Sequence, residues 1–149
     1  MKVVAQRVLE ASCTVDGTLI SKIEKGLCLL VGFEEDDNEQ ILEKMTAKIA
    51  KLRIFDDGNG HMNLSVMDIG GSALSISQFT LYANCRKGNR PSFTDACNPE
   101  KAKRLYECFN EILATYVPTA TGIFQADMKI ALINDGPVTI VLNNKELGF

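Results

Sequence analysis

Residues 133–140, Ile133-Asn134-Asp135-Gly136-Pro137-Val138-Thr139-Ile140 (INDGPVTI), decide how the C-terminal part of the chain is built. They join two stretches of strand character, Met128–Ile133 and Val138–Leu142, both rich in the branched residues that suit a pleated surface. Asn, Asp and Gly tolerate a left-handed backbone, and proline is accepted at the first position of a strand. The local reading is a hairpin turn at Gly136-Pro137 with a strand on either side.

Upstream, residues 2–9 read as a strand, and Asp16-Gly17 between Cys13-Thr14-Val15 and Thr18-Leu19-Ile20 is a two-residue hairpin signal. Leu27–Val31 is a short continuous apolar run, the pattern of a buried strand. The acidic run Glu34–Asn38 suits a solvated helix start, with Ile41, Met45, Ile49 and Leu52 following on one helical face. Residues 56–60 form a turn, and residues 73–82 alternate as a strand with Leu74, Ile76, Gln78, Thr80 and Tyr82 on one side. A second helix opens at Asn98-Pro99-Glu100, cap followed by proline, and runs to about Tyr116 with Leu105, Phe109, Ile112 and Leu113 inward. Many strands and two helices out of strict βαβ alternation predict a mixed α/β (α+β) fold. A barrel-like β-sheet core with the two helices packed outside it fits that order.

The 149 residues, 46% apolar and 23% charged, suit a single domain over 1–149. No apolar run approaches the ~20 residues of a membrane span, and Gln6-Arg7 break the apolar N-terminus too early for a signal peptide. A cytoplasmic location is therefore expected. Five cysteines, odd in number and without C-x-x-C spacing, predict reduced thiols rather than a disulfide framework or a zinc site. The net charge of −3 means that any nucleic-acid contact has to come from a local basic patch.

The chain has one histidine, His61, in a polar turn that is a poor mount for a rigid catalytic imidazole. Walker, G-x-G-x-x-G and H-E-x-x-H motifs are missing, so neither cofactor nor metal is expected. What remains is Ser75-Ile76-Ser77-Gln78-Phe79-Thr80-Leu81-Tyr82, with hydroxyls and an amide dense at the end of an apolar strand. A half-exposed strand with a polar face explains this equally well. Arg86, Lys87 and Arg90 follow, three cations in five residues beside Gly88 and ahead of Phe93, a pattern that suits phosphate contact.

Taken together, the segments resemble the D-aminoacyl-tRNA deacylases, editing enzymes that remove D-amino acids from mischarged tRNA. The resemblance is carried by Val4–Val8, Thr14–Gly17, Lys51–Phe55, Met62–Ser65, Ser77–Leu81, Arg86–Gly88 with Arg90–Phe93, Ala126–Met128 and Asn134–Thr139. It spans about residues 3–142. It departs at Asn84, where an acidic residue is common, and at Gln125, where glycine is common.

The resemblance implies hydrolysis of the ester of D-aminoacyl-tRNA or glycyl-tRNA by a homodimer, without cofactor, membrane or DNA. It places an oxyanion site at Phe79 and Thr80, shaped by Ser77 and Gln78. Gly136-Pro137 becomes a cis peptide that reaches into the partner's site and rejects L-residues by its backbone carbonyls. Phe124 and Met128 correspond to positions that hold the terminal adenine, and Arg7 to one that braces the Gly-Pro segment. A ribose hydroxyl of the tRNA is implied as activator of the attacking water. Contact of Arg86, Lys87 and Arg90 with tRNA phosphates is expected from charge alone. Two other readings are a non-catalytic tRNA-binding module and a hydrolase with Thr80 or Ser77 as covalent nucleophile.

Overall fold

A computed structural model describes residues 1–149. Strand β1 (Lys2–Val15) organises it. One edge of β1 pairs antiparallel with β8 (Met128–Asn143) from Lys2 to Val15. The other edge takes β3 (Gly26–Gly32) against Lys2–Val8 and β2 (Thr18–Ile23) against Ala11–Val15. Asp16 and Gly17, at φ 48° and 75°, make the expected β1–β2 hairpin turn. From β3 the sheet continues through two parallel neighbours, β6 (Ser72–Ser77) and β7 (Thr119–Thr121). Parallel neighbours need long crossovers, and the helices lie in them. The β3–β6 crossover holds α1 (Glu39–Ala50) and the small β4–β5 ladder (Phe55–Asp56 with Met62–Leu64), and the β6–β7 crossover holds α2 (Pro99–Ala114). Ser21 Oγ donates to the Thr121 carbonyl at 2.8 Å, so β2 and β7 nearly close the sheet into a barrel. The mixed α/β, barrel-like architecture is the one expected, with a third short helix, α3 (Asn144–Leu147), at the end.

Two apolar cores lie on either side of β3. Leu27, Leu29 and Val31 face α1 and α2 together with Leu42, Met45, Ile49, Phe109 and Leu113. Cys28 turns the other way, into a smaller core inside the barrel with Val8, Ala11, Cys13, Leu74 and Ile76. A strand covered on both faces has no polar face to show, which is why Leu27–Val31 reads as a continuous apolar run. β1 serves both cores by breaking its own alternation. Val3 and Ala5 belong to the helix-side core, whereas Val8, Ala11 and Cys13 belong to the barrel core. The register shift between Val8 and Glu10, where Leu9 is left without a partner, makes the switch, as a bulge does when it inserts a residue into one strand of a pair.

Four expectations change. No hairpin forms at Gly136-Pro137: β8 runs through it, because β1 is long enough to pair with both halves. Asn134 faces Val8 and Thr139 faces Gln6, so Asp135–Val138 bulge out opposite Arg7. The strand expected over 73–82 ends at Ser77, and Phe79–Tyr82 turn into a 3₁₀ helix that takes Gln78 and Thr80 out of the pleat. Ser75 is fully buried rather than on a half-exposed face. The acidic run is not wholly solvated: Asn38 caps α1, but Asp37 is buried and accepts from the Met1 amino group at 2.5 Å and the Glu34 N–H at 2.8 Å.

Both helices keep their expected caps, with Asn38 accepting from the Ile41 N–H and Asn98 from the Glu100 N–H. Met45, Ile49, Phe109 and Leu113 are buried as read, while Ile41, Leu52, Leu105 and Ile112 pack at the edge of the same core.

Gly26 has the tightest surroundings of any glycine. A β-carbon there would lie 1.8 Å from the Ser72 carbonyl oxygen, backbone to backbone, where β3 and β6 pair. Gly26→Ala is expected to destabilise the fold by about 3 kcal/mol or more, read as a lowered urea midpoint. Gly17→Ala, with open space around it, should cost only about 1 kcal/mol for its positive φ.

Candidate active site

Where β6 gives way to the 3₁₀ turn, a cleft of about 690 Å³ opens between the barrel and the start of α2. Val31, Ile76 and Ile130 contribute strand side chains, and Phe33, Pro99 and Ala102 close the helix side. Ser77, Gln78 and Phe79 line one rim, and Phe124, Gln125 and Met128 line another. Thus the structure brings Ser77, Gln78, Phe79, Phe124 and Met128 to one place, although about forty-five residues separate the groups in sequence.

The turn itself leaves chemistry exposed. Gln78 N–H is taken by the Val31 carbonyl at 2.7 Å, and Leu81 N–H returns to the Gln78 carbonyl at 3.3 Å. Between them the Phe79 and Thr80 N–H groups have no acceptor within the protein, the ordinary condition of the first residues of a helical turn. Both residues are exposed. Thr80 Oγ1 does not line the cleft; it accepts from Gln78 Nε2 at 2.5 Å, which holds the amide over the turn.

The opposite rim is fixed from below. Tyr106 Oη and the Gly122 N–H both donate to the Ser75 carbonyl, at 2.7 and 3.1 Å. The Tyr106 ring then packs against Phe124 with centroids 6.0 Å apart. Burial pushes the Tyr106 hydroxyl above its ordinary pKa, so it stays a donor. Sequence reading missed this support, since Tyr106 looks like one more apolar position on an amphipathic helix. In the sequence Ser75 reads as part of a polar strand face. Gln125 holds a positive φ of 63° at the cleft edge, a backbone geometry that explains why glycine suits that position.

The cleft offers no group suited to activating a nucleophile. Its titratable lining residues are Cys97 and Asp127. Burial and the nearby Glu35 carboxylate push the Cys97 thiol up to about 12, so it is protonated at neutral pH. Asp127 is exposed and engaged by Lys129 Nζ at 2.9 Å. His61 sits in an exposed turn outside the cleft.

Gly136, Pro137 and Arg7 do not line this cleft. The Gly136-Pro137 peptide is cis and both residues are exposed. Arg7 is buried beneath them: Nε donates to the Asp135 carbonyl at 3.0 Å, Nη1 to the Ile54 carbonyl at 2.7 Å, and Asp135 and Asp56 carboxylates lie at 3.4 and 3.6 Å. Arg86, Lys87 and Arg90 are exposed on a loop closed by paired backbone bonds between Asn84 and Ser92, at 2.7 and 3.0 Å.

A family model described as D-Tyr-tRNA(Tyr) deacylase matches residues 4–143. The chain belongs to that family. It is therefore a hydrolase, an enzyme of translational proofreading that acts on D-aminoacyl-tRNA. Among solved structures it is similar to one described as c-Myc DNA Unwinding Element Binding Protein, at 45% identity, TM-score 0.90, covering 96% of this chain and 98% of that one. A second, described as a probable eukaryotic D-amino acid tRNA deacylase, is 15% identical with TM-score 0.82, covering 95% and 97%, and shares the fold. No helix of the enzyme is long and apolar enough to cross a membrane.

Removing the Tyr106 hydroxyl while keeping its ring tests how the Phe124 rim is held. Tyr106→Phe leaves the Ser75 carbonyl one donor short and is expected to cost about 1 kcal/mol of stability, measured by urea unfolding.

Proposed function

We propose that the deacylase hydrolyses the ester by positioning alone, with the substrate's own ribose hydroxyl activating water. The observation that carries this reading is the pair of unpartnered N–H groups at Phe79 and Thr80 beside a cleft without a usable base. An aminoacyl ester is already activated. Two fixed donors aimed at the oxygen that gains charge provide the stabilisation that acyl transfer needs. Ser77 and Gln78 shape this oxyanion site, and Phe124 and Met128 hold the terminal adenine by stacking and apolar contact. A covalent role for Thr80 or Ser77 would require an activating base within reach, and Thr80 Oγ1 meets only the Gln78 amide. Arg86, Lys87 and Arg90 contact acceptor-stem phosphates, positioning tRNA without reading its sequence.

Chirality is selected by exclusion, by the Gly136 and Pro137 backbone of a second copy placed where an L side chain would point. Three observations support a homodimer. Gly136 and Pro137 lie outside their own chain's cleft, the outer edge of β8 has no partner strand, and β8 leaves Ile133 and Val141 50% and 68% exposed. A C₂ pairing lets each copy supply the other's wedge. A backbone wedge ignores side-chain identity, so D-residues are accepted broadly, and glycine passes for want of a side chain. A thousandfold preference needs only about 4 kcal/mol of clash. Residues 1–149 fold as one domain, and a cytoplasmic location suits a tRNA substrate.

Single-turnover assays on D-tyrosyl-, glycyl- and L-tyrosyl-tRNA should show the first two cleaved and the third resistant. Equal cleavage of the L-ester would refute the exclusion mechanism. Thr80→Ala is expected to keep substantial activity, whereas a substrate ending in 2′-deoxyadenosine should be poorly cleaved; a trapped acyl-Thr80 species would establish the covalent route instead. In sedimentation the active species should have twice the mass of the chain, and a fully active monomer would remove the wedge from the mechanism.

A further inference from the structure

We propose that Phe79 and Phe93 form a stacking platform for the unpaired nucleotides that precede the terminal adenosine of the tRNA. The proposal rests on the deacylase reading, in which the terminal adenosine lies in the cleft. Phe79 and Phe93 are 57% and 39% exposed. Their rings meet edge to face, with centroids 5.1 Å apart and planes at 65°, and such a pair leaves ring face open to solvent. Phe79 belongs to the cleft rim; Phe93 does not line the cleft and extends the aromatic surface beyond it.

Three features favour a nucleic-acid base as the occupant. Phe93 follows directly on the Asn84–Ser92 bridge that closes the loop of Arg86, Lys87 and Arg90, so phenyl surface and cations share one mount. Asp95 is the acidic residue near this mount, against three exposed cations, while the chain as a whole is net negative. An aromatic face beside a positive groove is the combination that tracks single strands, because every base has a π-face and every nucleotide a phosphate. Finally, Phe79 carries one of the free N–H groups of the turn, so a strand stacked on the platform leads straight to the reacting ester.

The test compares D-tyrosyl esters of adenosine, of the trinucleotide CpCpA and of full tRNA. Base stacking is worth about 5- to 100-fold per base on alanine substitution. The ratio of kcat/KM for the trinucleotide over the adenosine ester should therefore fall about 5- to 100-fold in Phe93→Ala, mainly through KM, and recover in Phe93→Trp. An unchanged ratio, with both rates intact or both lowered, overturns the platform and leaves Phe93 as a prop for the Phe79 turn. Calorimetric binding of uncharged CpCpA and of adenosine separates this from the deacylase reading, since it requires no hydrolysis. The wild type should bind CpCpA more tightly, and Phe93→Ala should lose that preference. Equal affinities in the wild type would also overturn the proposal, whereas absent hydrolysis with the preference intact would count against the deacylase chemistry alone.

Discussion

The buried guanidinium of Arg7 is the contact on which the arrangement turns. Between the pairs Gln6–Thr139 and Val8–Asn134, the β1–β8 ladder has one residue on one strand and four on the other. Backbone left over in this way has to find partners elsewhere. Arg7 supplies one, donating to the Asp135 carbonyl of β8, and it also donates to Ile54 in the connection after α1. A lysine carries one compact point charge, whereas the planar fork can serve several acceptors at once. The carboxylates of Asp56 and Asp135 offset the cost of burying the charge. One side chain thus ties together the long strand pair, the helix connection and the exposed Gly136-Pro137 segment.

A second irregularity beside it gives the molecule two cores, because Leu9 of β1 has no partner between the pairs Val8–Asn134 and Glu10–Ile133. Without a register shift, the buried face of β1 would stay on one side throughout, since alternation has a period of two residues. With it, the N-terminal half of β1 packs under the helices and the C-terminal half packs inside the barrel. β3 separates the two volumes, and the cleft opens where both end, at Val31 and Ile76. Its wall is then apolar by construction. Polar groups occur where the strand stops, at Ser77 and Gln78, in the unpaired backbone of the following turn, and on the opposite rim at Gln125 and Asp127.

This layout suits a reaction with an activated substrate. A hydrolase of unactivated bonds needs a nucleophile with a base beside it, and the cleft holds a protonated thiol and a solvated, ion-paired carboxylate. Fixed N–H donors need no protonation event to be ready, and they cost nothing to reorganise as charge develops. The proposed selection by an excluded volume would have the same economy, because it asks only that backbone be in the way.

The sequence by itself determined the local elements whose causes are local. The Asp16-Gly17 turn, the Asn38 and Asn98 caps, the doubly covered strand Leu27–Val31 and the inward residues Phe109 and Leu113 all follow from residue type and spacing. The resemblance to the deacylases was legible too, since its motifs are contiguous. Only the tertiary structure decided the fate of INDGPVTI: its own residues favour a hairpin, but a fourteen-residue β1 offers both halves a partner. Likewise Ser75–Tyr82 alternates as a strand, yet β3 is used up at Gly32 and the chain turns at Phe79. Tyr106 under Phe124, and Phe93 against Phe79, join residues far apart in sequence. Hydrogen-bond partners and ring contacts of that kind are set by which strands find each other, and periodicity along one strand does not carry that information.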